Sequence, residues 1–140
     1  MVHEGQMSLP REQGERDLAR EPVTCLTDGR PIPDAMIIVT DRRIVLMIPR
    51  KIDLRVTWTR PLLRAIAEQA KVLEPTAEIR REDFAAFEIR TNGELGFRGR
   101  HASFTVVSPT PGAAWQGLLD RWLAGTLEPA PLPTARVVKR

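Results

Sequence analysis

A chain of 140 residues, 42% apolar and 28% charged, holds one domain with one sizeable core, and its apolar runs fall far short of the ~20 residues of a membrane span. A single cysteine, Cys25, excludes an internal disulfide and a multi-cysteine metal site, and two histidines, His3 and His101, are too few for a zinc or iron centre. The net charge of +3 is unevenly spread: residues 1–40 carry −3, 41–64 carry +5, 65–97 carry −3 and 98–140 carry +4. Basic charge placed this way suits an anionic partner such as a membrane surface or nucleic acid, or else a solvated arginine-rich face.

Residues 1–20 are polar and weakly periodic. They predict a disordered or loosely helical lead in which only Leu9 and Leu18 could dock. Glu4, Glu12, Glu15 and Asp17 stand where a secretory signal would be apolar, so a cytoplasmic protein is expected. Glu21–Cys25 reads as a short first strand with Val23 and Cys25 inward. Thr27 to Asp34 is dense in turn formers and reads as a loop.

The block Ala35–Trp58 then predicts three consecutive strands. Met36–Val39 and Ile44–Ile48 are apolar runs with β-branched residues, as in strands buried on both faces. A tight turn, Thr40-Asp41-Arg42-Arg43, joins them. Ile52, Leu54, Val56 and Trp58 alternate with polar residues, which is the pattern of a half-buried strand.

From Pro61 to Leu73 the period changes. Leu62, Leu63, Ile66, Ala67, Ala70 and Leu73 fall at helical spacing, with Thr59 as N-cap and Pro75 as the stop. Beyond Pro75, Glu78–Arg80 reads as a short extended piece, and Ala85, Phe87 and Ile89 alternate as a strand. Asn92-Gly93 is a hairpin signal, because both residues tolerate positive φ. Leu95 and Phe97 follow, then a turn at Gly99-Arg100, then a strand through Ala102, Phe104 and Val106. Gly93, Gly96 and Gly99 read as turn glycines rather than a phosphate loop. The last element is an amphipathic helix. Thr110 is its expected N-cap and Pro111 its first position, Trp115, Leu118, Leu119, Trp122 and Leu123 form one stripe, and Gly125 stands at C′. Residues 126–140, with Pro129, Pro131 and Pro133 and a basic end, read as an extended flexible tail.

Two stretches carry a family resemblance. Ile37-Ile38-Val39-Thr40-Asp41-Arg42-Arg43-Ile44-Val45-Leu46 places Thr-Asp-Arg-Arg between apolar strands. Ile79-Arg80-Arg81-Glu82-Asp83-Phe84-Ala85-Ala86-Phe87-Glu88 places Asp before a mid-barrel strand. With the closing helix, the order resembles the pleckstrin-homology-like superfold in its GRAM and bacterial PH-like branch, over roughly residues 21–125. The resemblance implies an α+β fold: a PH-like antiparallel β-barrel, or two packed antiparallel sheets, capped by the helix from Pro111 to Ala124. The helical segment near 61–73 departs from the family pattern and is expected as an insertion.

No catalytic constellation is legible. Ser103 and Ser108 near His101 have no third member, and Glu82 and Asp83, being adjacent, would point opposite ways on a strand. The resemblance therefore implies a non-enzymatic interaction module without cofactor or metal, docking a protein partner or a second copy through a sheet edge or the apolar helix. One alternative is peripheral binding to anionic membrane, at its inner face, through Arg42, Arg43, Arg50, Lys51, Arg55, Arg60 and Arg64. The same arginines and lysine could equally contact a partner. Another alternative is a small structural subunit of a larger assembly, whose tails order on assembly. Nucleic acid is disfavoured, because no exposed aromatics interleave with the basic residues.

Overall fold

Seven strands and one helix hold most of the described residues. The computed structural model describes residues 9–50 and 72–129, the Arg50 side chain excepted. The strands are β1 (Asp17–Thr27), β2 (Arg30–Thr40), β3 (Arg43–Arg50), β4 (Val72–Arg80), β5 (Phe84–Ile89), β6 (Glu94–Gly99) and β7 (Ser103–Val107). A 3-10 turn, Arg81–Asp83, links β4 to β5, and helix α1 (Gly112–Ala124) follows β7. All pairings are antiparallel, in one sheet of order β4-β3-β2-β1-β7-β6-β5, so the architecture is α+β.

The expected apolar runs around the Thr40–Arg43 turn form the centre of this sheet. Ile37 pairs with Leu46 and Val39 with Ile44 on one face, while Ile38 pairs with Val45 on the other. Both faces are buried: the first belongs to the main core, and Ile38, Val45 and Met47 form a second cluster with Leu9. That explains why these runs are continuous rather than alternating. The main core lies between the sheet's inner face and α1, and takes in Cys25, Phe97, Trp115, Leu119 and Trp122. Phe97 sits at its middle, against Phe87, Phe104 and Trp115 at 5.0, 5.0 and 5.3 Å between ring centroids. Burying Trp115, Leu119 and Trp122 contributes on the order of 5–9 kcal/mol before entropy.

Several expectations change. Residues 17–20, expected in the disordered or loosely helical lead, are strand, and Leu9 and Leu18 are both buried. Strand β1 runs eleven residues instead of five; Pro22 lies inside it, opposite Met36. The expected loop from Thr27 to Asp34 shrinks to a turn at Asp28-Gly29, where both residues take positive φ. Val72 and Leu73, expected to end a helix, begin β4, paired with Arg50 and Pro49. Pro75 does not stop that element; it is tolerated because β4 is an edge strand with a register shift beside it. The rest of the helix near 61–73, and the strand 52–58, lie outside the described residues.

The closing helix starts at Gly112 with Pro111 at the N-cap and no side-chain cap. Thr110 instead donates to Glu21 Oε1 at 2.6 Å. Ser108 organises the entry: its Oγ accepts from Thr110 N and from Trp115 Nε1, each at 3.0 Å. Gly125 closes the helix in the left-handed region, as expected. Of the predicted stripe, Trp115, Leu119 and Trp122 are buried, whereas Leu123 is 45% exposed. Gly96 is not a turn residue but lies mid-strand in β6 beneath the Arg90 guanidinium.

Candidate interaction site

The Thr40–Arg43 turn, where the sequence places two adjacent arginines, is filled from within. Thr40 Oγ1 accepts the backbone N–H groups of Arg42 and Arg43, both at 3.1 Å, and donates to Glu15 Oε2 at 2.5 Å. This is the side-chain turn geometry that Thr favours. Arg43 is buried and bidentate on Glu15, with Nε and Nη2 at 2.8 and 3.0 Å, and Nη2 also donates to Pro10 O. The Glu15 side chain is fully shielded. Burial pushes its carboxyl pKa upward, but the bonds from Arg43 and Thr40 outweigh that and hold it at about 2.

Around this pair lies a more exposed network. Glu12 accepts from Arg42 Nη1 at 3.1 Å and from Arg80 Nη1 at 2.8 Å, and Arg80 also meets Glu82 and Glu78. The chain before β1 is thereby fastened across the β2–β3 turn and the end of β4. The Trp122 indole joins the same corner by donating to Thr40 O at 2.7 Å.

Arg43, expected to contact an anion or a partner, is buried and neutralises Glu15 inside the fold. Arg42 reaches the surface but is paired with Glu12. Arg50 contributes its backbone to β3, and Lys51, Arg55, Arg60 and Arg64 lie outside the described residues. Asp41 Oδ1 accepts Arg16 N at 3.0 Å. Sequence reasoning missed Glu12 and Glu15 because a polar lead with no period gives no signal for tertiary ion pairs.

A cleft of about 220 Å³ opens between β4 and the β6–β7 turn, lined by Glu78, Ile79, Arg80, Asp83, Gly99, Arg100, His101 and Ala102. Its two arginines are matched by two carboxylates, so it has no net preference for an anion. Among the described residues no group of three His, Cys, Asp or Glu could hold a metal, and no helix is long and apolar enough to cross a membrane.

The two sheet edges differ. Strand β4 carries Pro75, Glu74, Glu78 and Arg80 along its length, a charged and proline-broken edge. Strand β5 reads Phe-Ala-Ala-Phe-Glu-Ile, with one charge and no proline, and no described strand pairs with its outer side. Arg90 N donates to Glu94 O and Arg90 O accepts from Gly93 N. Alternation back along the strand turns the N–H groups of Ile89 and Phe87 away from β6, toward the open edge.

Helix α1 runs beside this edge in the opposite direction. Phe84 at the start of β5 meets Trp122 edge-on at 5.9 Å. Ile89 at the end of β5 lies against Gly112, where a Cβ would come within 3.0 Å of it. Gly112, Gln116, Leu119 and Leu123 share one side of the helix. Among the described residues three large hydrophobics are exposed, Ile89 (55%), Val107 (42%) and Leu123 (45%). Two of these three belong to β5 and to the helix side that touches it. No family model matches this chain, and no curated protein matches it either.

Proposed function

We propose that this chain is a PH-like, non-enzymatic docking module, and that an extended segment of a protein partner or of a second copy adds to the β5 edge beside α1. The observation that carries this reading is the row of β5 backbone groups that no described strand pairs, with Ile89 exposed at its end. Added strands gain affinity from main-chain hydrogen bonds and specificity from alternate side chains in flanking pockets. Seven antiparallel strands followed by an amphipathic helix, whose large side chains enter the sheet's core, support the PH-like part of the proposal. The sequence supports the non-enzymatic part, since it offers no convergent titratable groups.

The membrane-surface alternative draws on Arg42, Arg43, Arg50, Lys51, Arg55, Arg60 and Arg64; Arg42 and Arg43 are already paired with glutamates, and the other five side chains lie outside the described residues. The assembly-subunit alternative requires residues 1–20 and 126–140 to order on assembly, and of these Asp17 to Arg20 already belong to β1.

Selection of random extended peptides on the whole protein tests the docking reading. Bound peptides are expected to lose affinity at least tenfold on Ile89→Pro, which removes an outward N–H without touching the β6 ladder. Failure to select any peptide, or selected peptides indifferent to Ile89→Pro, overturns it.

A further inference from the structure

The chain carries its own candidate strand for the β5 edge. Residues 130–140 (APLPTARVVKR) lie outside the described residues, and the described chain reaches Pro129. Leu127 packs against the core after the α1 cap, so the following segment departs from the C-terminal end of α1. That end is where Trp122 meets Phe84, at the start of β5. Eleven residues reach roughly 36 Å when extended, and a six-residue strand spans about 20 Å. The segment can therefore cross to the edge and run its full length.

Its chemistry fits. Val137 and Val138 have strand propensity, and the three prolines lie upstream, where no ladder donor is needed. Arg136, Lys139 and Arg140 give the segment a charge of +3. Residues 82–94, which contain β5 and its turn, hold Glu82, Asp83, Glu88 and Glu94 against Arg90 alone, a charge of −3. Within the hairpin one guanidinium serves two carboxylates, Glu88 at 3.2 Å and Glu94 at 3.7 Å. Opposite net charges favour this pairing over one between two acidic edges.

We infer that residues 134–140 are a self-ligand of the β5 edge, occupying in the resting protein the strand position that a partner takes. The inference rests on the docking reading and adds its regulation: partner segments compete with the chain's own basic strand.

Amide hydrogen exchange on the full chain tests it. The N–H groups of Phe87 and Ile89 are expected to exchange at least tenfold more slowly in the wild type than in Val137→Pro/Val138→Pro. The charge-reversed Arg136→Glu/Lys139→Glu/Arg140→Glu chain is expected to behave like the proline variant. Slow exchange at both low and high protein concentration means pairing within one chain, and slow exchange only at high concentration means pairing between copies; either supports the inference. Equal, fast exchange in all three proteins overturns it while leaving the docking reading standing. Peptides selected on the docking site should then bind the proline variant no better than the wild type. If the inference holds, they bind that variant at least tenfold better.

Discussion

At the residue scale the decisive group is Glu15. A shielded carboxylate held by Arg43 and Thr40 is a structural charge. Removing one member of such a pair leaves the other uncompensated, which costs about 3–5 kcal/mol. The pair also sets a pH dependence. Glu15 is held at about 2 against an ordinary 4.5, so its contribution is complete above the unfolded value. It fades as pH falls from about 4.5 towards 2, and is on the order of 3 kcal/mol in all. Urea midpoints of the wild type are expected to drop steeply across that window. The drop should be shallower in Glu15→Gln, which is already destabilised at neutral pH. Equal slopes would mean that exposed carboxylates govern the acid limb, such as Glu12, lowered by Arg80 and Arg42, and Glu82, lowered by a backbone hydrogen bond and by Arg80.

At the element scale two glycines of one strand make a contrast. A Cβ at Gly99 would come within 2.6 Å of Ile79 Cγ2 and 3.3 Å of Asp83 O, both fixed by packing. Gly99→Ala should cost about 1–3 kcal/mol, because neither β4 nor the 3-10 turn can move aside without disturbing the core. A Cβ at Gly96 would come within 2.8 Å of Arg90 Nη2, the tip of a flexible surface side chain. Gly96→Ala should cost less than about 1 kcal/mol, since Arg90 can swing away at the loss of its bond to Thr105. Chemical denaturation of the two variants checks the difference; similar losses would show that the Ile79 contact yields easily. Close approach of β4 and β6 at this point also shapes the cleft beside Arg100 and His101.

At the scale of the whole molecule, every element contributes to one core. Leu18, Ile37, Ile79, Phe97 and Trp122 come from β1, β2, β4, β6 and α1 and share a single cluster. Unfolding should therefore be one transition. In a Trp58→Phe chain, tryptophan fluorescence, which then reports buried Trp115 and Trp122 alone, and far-ultraviolet circular dichroism are expected to give the same urea midpoint. A fluorescence change at lower urea would mean that α1 leaves the sheet first. Of the two edges among the described strands, β5 carries neither a proline nor a run of charges. The Ile89→Pro peptide experiment therefore probes a property of the assembled sheet that no isolated element has.

The sequence by itself determined the strands from Ala35 to Ile48, the Thr40–Arg43 turn, the turn at Asn92-Gly93, in which Gly93 and not Asn92 takes positive φ, and the tryptophan-bearing helix with its glycine cap. Each of these is written in local periodicity or in residues that one backbone conformation favours. Only the tertiary structure decided that the polar chain before Asp17 is fastened by Glu12 and Glu15, that Arg43 is an internal counter-ion, and that Val72 to Arg80 is one strand through a proline. Those outcomes depend on partners distant along the chain: Glu15 is 28 positions from Arg43, and β4 forms because β3 offers it a ladder. Ion pairing and ladder formation have no period to read, so they become visible only once the sheet has brought their members together.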